Sequence, residues 1–215
     1  MPFVEIKKNN GARIGIWQIT ETEDQLLSLL REPAQYQKEL DAYVSAKRRI
    51  EFLAVRVMLQ QLTGEVLCVG YEPSGKPFLI NHTELVSISH TGGYAAVILH
   101  PSLPVAIDIE QRSEKVLRLQ SKFMNAAELA AVDPSSPLSY ALLCWSAKET
   151  LFKIIPEEEI DFKSHLHLSP FLVASQGTIP AMDTRNDLPR HFTINYADQQ
   201  DYVLTWCVRE GENTL

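Results

Sequence analysis

Between Leu143 and Ile154 the chain spells a helix with two committed sides. Leu143, Ala147, Thr150, Leu151 and Ile154 recur at helical spacing and form an ordinary core stripe. The opposite side interleaves Trp145 and Phe152 with Lys148, Glu149 and Lys153. Large aromatics are seldom left in open water, so this second side is expected to face a cleft. Read alone, Glu149 followed by Lys153 is a routine i,i+4 ion pair of about 0.3–0.5 kcal/mol. Its promotion to anything more has to come from elsewhere in the sequence.

The chain around this helix alternates strand and helix signals. Phe3 to Ile6 and Arg13 to Ile19 read as a hairpin through Asn9-Asn10-Gly11. Thr20 or Thr22 caps a helix from Glu23 to Arg31, and a second, irregular helical region runs from Pro33 to Leu62 with Gly64 as its cap. Strands follow at Val66–Tyr71, Pro77–Ile80, Leu85–His90, Tyr94–Leu99 and Val105–Glu110. Helices are predicted at Glu114–Phe123, Ala126–Val132 and Pro137–Ile155, the last ending in an acidic loop, Pro156 to Glu159. The remainder reads as strand: His165–Ala174, Thr178–Met182, His191–Tyr196 and Tyr202–Val208. Each half thus offers a long helix and several strands and ends on a hairpin. This predicts an α+β chain of two similar, pseudo-symmetric lobes, 1–103 and 104–215.

Composition narrows the class. With 45% hydrophobic residues in 215, the chain has enough apolar sequence for one large core or two small ones. A net charge of −7 without a basic tail disfavours nonspecific nucleic-acid binding. Cys68, Cys144 and Cys207 lie far apart in apolar contexts, as buried reduced thiols do. The N-terminus lacks the regions of a signal peptide, and no apolar run approaches the roughly 18–20 residues of a membrane span. A cytoplasmic, membrane-free protein is expected.

The residues that carry chemistry begin with Val105-Ala106-Ile107-Asp108-Ile109-Glu110. Alternate strand residues share a face, so Asp108 and Glu110 stand together while Ile107 and Ile109 turn to the core. Alone, the pair suits an exposed edge as well as a divalent cation, whose charge would resolve the repulsion. Adding Glu149 from the mixed side of the helix makes a three-carboxylate metal cluster, with Lys148 and Lys153 beside it as phosphate ligands. Two further stretches suit anions: the turn Gly75-Lys76-Pro77 and the strand end Ser89-His90 before Gly92-Gly93. Lys47-Arg48-Arg49 is the densest basic cluster, as compatible with a solvated helix face as with an anion site.

The ordered set Gly75-Lys76-Pro77, Ile88-Ser89-His90, Ile107-Asp108-Ile109-Glu110 and Trp145-Ser146-Ala147-Lys148-Glu149 with Lys153 resembles the signature of the 4′-phosphopantetheinyl transferases. The length and two-lobed outline resemble the Sfp-type branch, in which the active site lies in the cleft between two lobes of one monomeric chain. The resemblance implies transfer of the 4′-phosphopantetheine arm of coenzyme A to a serine of an apo acyl or peptidyl carrier protein, with release of adenosine 3′,5′-bisphosphate. It implies Mg²⁺, or Mn²⁺ in its place, held by Asp108, Glu110 and Glu149. Glu149 would also take the serine proton, and Lys153 would stabilise charge on the phosphates with Lys148 nearby. Lys76, Ser89 and His90 would bind phosphates of coenzyme A, with Asp108 at the pyrophosphate through the metal and Arg48 at the 3′-phosphate. The alternatives are a module that binds coenzyme A or a carrier without turnover, and a different Mg²⁺-dependent phosphotransferase. Carrier proteins are acidic helical bundles, so Lys115, Arg118 and Lys122, on one helical face, are expected to steer them, with Phe123 or Met124 as apolar anchor.

Overall fold

Asn10 and Gly11 take positive φ angles of 44° and 80°, the pattern of a type I′ turn, and fold β1 (Phe3–Asn9) back on β2 (Ala12–Gln18). The structure is a computed structural model and describes residues 3–155 and 159–209. Of the expected acidic loop, Pro156 to Glu158 lie outside the described residues. The chain divides into two compact units, Met1–Val105 and Ala106–Leu215.

In the first unit, β1 and β2 join β6 (Tyr94–His100) and β5 (Leu85–Thr91) in an antiparallel sheet of order β1-β2-β6-β5. The helix α1 (Glu23–Leu29) starts at Thr22, whose side chain and Gln25 form a reciprocal capping box. The predicted helical run from Pro33 breaks into a 3₁₀ turn (Pro33–Tyr36), a short α2 (Gln37–Asp41) and the long α3 (Ala46–Thr63). Gly64, at φ 77°, closes α3 in the left-handed conformation that glycine adopts without strain. Leu53, Val57 and Met58 of α3 bury against Trp17, Val97 and Leu99 of the sheet. Gly15 lets α3 approach β2 closely: a Cβ there would lie 2.9 Å from Met58 Sδ. The small ribbon β3 (Val69–Tyr71) and β4 (Pro77–Leu79) completes the unit.

The second unit opens with β7 (Val105–Gln111), α4 (Lys115–Phe123), α5 (Ala126–Ala130) and α6 (Pro137–Ile154). Then come β8 (Leu166–Leu168), β9 (Gln176–Asp183), β10 (Arg190–Asp198) and β11 (Tyr202–Val208), in a sheet of order β7-β11-β10-β9-β8. Leu143, Ala147 and Leu151 of α6 pack with Ile179, Ile194 and Val203 in this unit's core. Each unit therefore pairs an 18-residue helix with its own sheet. The strand predicted to run on to Ala174 stops at Leu168. Beyond it, Tyr196 Oη donates to Leu172 O at 3.1 Å and accepts from Ala174 N at 3.2 Å, so a side chain replaces the ladder that Pro170 could not continue. Cys144 and Cys207 are buried thiols as expected, whereas Cys68 is partly exposed. Among the described residues no helix is long and apolar enough to cross a membrane.

Candidate active site

Strand alternation sets the second unit's polar centre. Ile107 and Ile109 are 0% and 1% exposed on the core face of β7, and Asp108, at 4%, is buried on the other face. What buries Asp108 is α6: Ser146 Oγ donates to its Oδ2 at 2.8 Å, and Lys153 Nζ donates to its Oδ1 at 2.8 Å. Lys153 also donates to Ile107 O at 3.0 Å, leaving one ammonium hydrogen for another acceptor. One register pair further along β7, Trp145 Nε1 donates to Glu110 Oε1 at 2.7 Å. Residues 145, 149 and 153 lie one turn apart, so Trp145, Glu149 and Lys153 share the side of α6 that engages β7.

Glu149 is half-buried, and its carboxyl is pushed up to about 7. Burial is the leading cause, followed by the charge of Asp108; Lys153 pulls the other way, and Glu110 adds a smaller push. The three acids are thus electrostatic neighbours. They do not form a closed ligand cage: among the described residues no three His, Cys, Asp or Glu side chains are grouped to hold a metal ion. Mg²⁺ does not require such a cage, since one or two carboxylates with water and substrate phosphates complete its octahedron. Three hard oxygen donors within electrostatic reach of one another, one of them pushed up by burial and by the charge of Asp108, fit a divalent cation.

Lys148 corrects the sequence reading. It was expected beside the carboxylates as a phosphate ligand, but its side chain is fully buried on another side of α6. Its three hydrogens go to Phe123 O at 2.7 Å, Glu128 Oε2 at 2.8 Å and Phe162 O at 2.8 Å, so none remains for a ligand. Burial pushes the ammonium's pKa down while Glu128 pulls it back up. Glu128 accepts two further bonds, from Leu168 N at 2.9 Å and Asn125 N at 2.8 Å. The pair ties α5, β8 and the end of α4 to α6. The signal was in the spacing, because Lys148 follows Cys144 and precedes Leu151 on the apolar stripe.

The aromatics of α6 do meet partners. Trp145 sits between the rings of Phe123 and Phe162, at 5.1 and 5.6 Å between centroids. Phe152 packs on Phe162 at 5.6 Å and stays 45% exposed. On α4, Lys115, Arg118 and Lys122 are exposed, and no ion pair engages them among the described residues. The expected anchors Phe123 and Met124 are 4% and 0% exposed, committed to the core, so neither is an anchor. The apolar side chain this face presents is Leu119, at 46%.

In the first unit, Arg48 and His90 come together, with Arg48 Nη1 3.1 Å from His90 Nε2. Between them lies Glu51, which sequence reading passed over: it is 5% exposed and 3.2 Å from Arg48 Nη1, 3.5 Å from His90 Nδ1 and 3.7 Å from Lys47 Nζ. Its i,i+3 and i,i+4 spacing from Arg48 and Lys47 was the available clue. Ser89 is buried on the opposite face of β5 from His90, so the two neighbours in sequence are not side by side in space. Lys76 is exposed in the β3–β4 turn, and no hydrogen bond or ion pair joins it to Arg48 or His90 among the described residues.

Residues 104–207, from the residue before β7 to Cys207 within β11, match the family model described as the 4′-phosphopantetheinyl transferase superfamily. No curated protein matches the chain.

Proposed function

We propose that this chain, a member of the 4′-phosphopantetheinyl transferase superfamily through residues 104–207, moves the phosphopantetheine arm of coenzyme A to a serine of an apo carrier protein in a Mg²⁺-dependent reaction. The observation that carries the reading is the meeting on β7 and α6 of Asp108, Glu110, Glu149 and Lys153, all inside the matched segment.

The reaction is displacement at the β-phosphorus of a pyrophosphate, where positioning and charge neutralisation do most of the work. Asp108, Glu110 and Glu149 would hold Mg²⁺, or Mn²⁺, which when bound neutralises charge on the pyrophosphate oxygens. Glu149 is the group to take the serine proton, because an acceptor whose pKa lies near the working pH is the most effective general base. Lys153 holds Asp108 through one hydrogen and has another left for a phosphate oxygen. Arg48, His90, Lys76 and Ser89 are assigned to the phosphates of coenzyme A, Arg48 to the 3′-phosphate. Lys148 is withdrawn from that set. The exposed Lys115, Arg118 and Lys122 around Leu119 suit an acidic carrier, which gains steering from a basic patch on an otherwise net-negative chain.

The test is an intact-mass assay with coenzyme A, Mg²⁺ and an apo carrier. The carrier is expected to gain one phosphopantetheine with the native chain and none with Glu149→Gln. Coenzyme A binding without any mass gain would replace this reading with that of a binding module.

A further inference from the structure

Three hydroxyls lie in file behind Asp108. Ser146 Oγ donates to Asp108 Oδ2 at 2.8 Å, Thr205 Oγ1 lies 2.9 Å from Ser146 Oγ, and Thr150 Oγ1 lies 2.6 Å from Thr205 Oγ1. Ser146 and Thr150 come from α6, Thr205 from β11, and all three are 0% exposed. The nearby backbone offers Thr205 and Thr150 second acceptors, Ser146 O at 2.9 Å and Thr205 O at 3.4 Å. A carboxylate can only accept. The single proton of Ser146 therefore goes to Asp108, that of Thr205 lies between Ser146 O and Ser146 Oγ, each at 2.9 Å, and the oxygen of Thr205 receives from Thr150. Alanine and valine would fill this space without the cost of burying three hydroxyls, a cost offset only when each is paired. The file ends on the one carboxylate that Lys153 grips from the other oxygen. Each oxygen of Asp108 thus has its own donor, and the carboxylate's rotation is fixed from both sides.

We propose that Thr150, Thr205 and Ser146 are positioning residues for Asp108, holding the carboxylate in the one orientation in which it serves a divalent cation. This rests on the reading above that Asp108 helps to hold one. Hydrogen bonds behind a ligating carboxylate set its orientation and basicity, and their loss weakens metal binding.

Mn²⁺ is the probe, titrated alone into the full chain and followed by the electron paramagnetic resonance of the free aqua ion. Ser146→Ala is expected to weaken Mn²⁺ binding about tenfold and Thr205→Val about threefold, while Thr205→Ser stays within about twofold of the native chain. The Thr205 pair separates chemistry from packing, since valine keeps the shape and serine keeps the oxygen; it decides the matter if Ser146→Ala does not fold. Unchanged affinity in Ser146→Ala and Thr205→Val, or a larger loss in Thr205→Ser than in Thr205→Val, overturns the inference and leaves the transferase reading intact. A native chain that transfers phosphopantetheine in the mass assay but binds no Mn²⁺ overturns it too, by removing the cation from Asp108.

Discussion

Glu149→Gln removes a charge while keeping the shape of the side chain. The native carboxyl is pushed from its ordinary 4.5 up to about 7, by burial first and by Asp108 second, against the pull of Lys153. An acid whose pKa rises on folding holds its proton more tightly in the native state. Its contribution to stability is therefore full below its unfolded value and is lost as the pH climbs through the folded one. A tenfold change in proton affinity corresponds to ~1.36 kcal/mol, so ionising Glu149 inside the fold costs about 3 kcal/mol, less whatever its neighbours recover by relaxing. The glutamine variant never meets that cost. Urea unfolding in a chelator, at about pH 5 and about pH 8.5, is expected to show the native chain losing about 1.5–3 kcal/mol relative to Glu149→Gln as the pH rises. An equal difference between the two proteins at both pH values would refute the account of a proton held by burial and Asp108.

Other expectations follow from the same structure. Saturating Mg²⁺ is expected to raise the unfolding midpoint of the native chain at alkaline pH more than that of Glu149→Gln, as a ligand that binds only the native state must; equal shifts would argue against Glu149 as a metal ligand. Lys148→Met leaves Glu128 charged and buried, and is expected to cost about 3–5 kcal/mol by denaturant titration, with much of the loss recovered in Lys148→Met/Glu128→Leu. Arg48→Ala is expected to weaken coenzyme A binding about tenfold by calorimetry, the loss of one charge-assisted bond, while urea stability changes little; unchanged binding would remove Arg48 from the site. Charge reversal at Arg118 and Lys122 is expected to raise the KM for carrier and leave coenzyme A affinity unchanged, with an unaltered KM discarding the docking face.

What the sequence disclosed depended on range. Periodicity of two placed Asp108 and Glu110 on one face of β7, and helical spacing put Glu149 and Lys153 one turn apart on α6, so the acidic centre was legible from short stretches. The Asn10-Gly11 turn and the Thr22 cap were local as well. Ser89 and His90 were read together by adjacency, although the same period of two sets them on opposite faces of β5. Long-range partnerships were out of reach. Nothing near Ser146 announces Thr205, 59 residues away, nor does β8 announce that Tyr196 will hold the backbone beyond it. Lys148 lay between these cases: its stripe was readable, its acceptors were not.

Beyond Pro137, Phe152 is the one exposed residue of α6. Every other direction around the helix axis has a fixed addressee: Lys148 reaches the Phe162 loop, Thr150 the hydroxyl of Thr205, Lys153 the carboxylate of Asp108. Such a helix is locked in phase. A single residue inserted just before Trp145 would turn everything after it by about 100°, carrying the lysine of the core into the half-buried place of Glu149 and Trp145 into the buried place of Ser146. Point substitutions in α6 can fail one at a time; an insertion or deletion fails on all sides together.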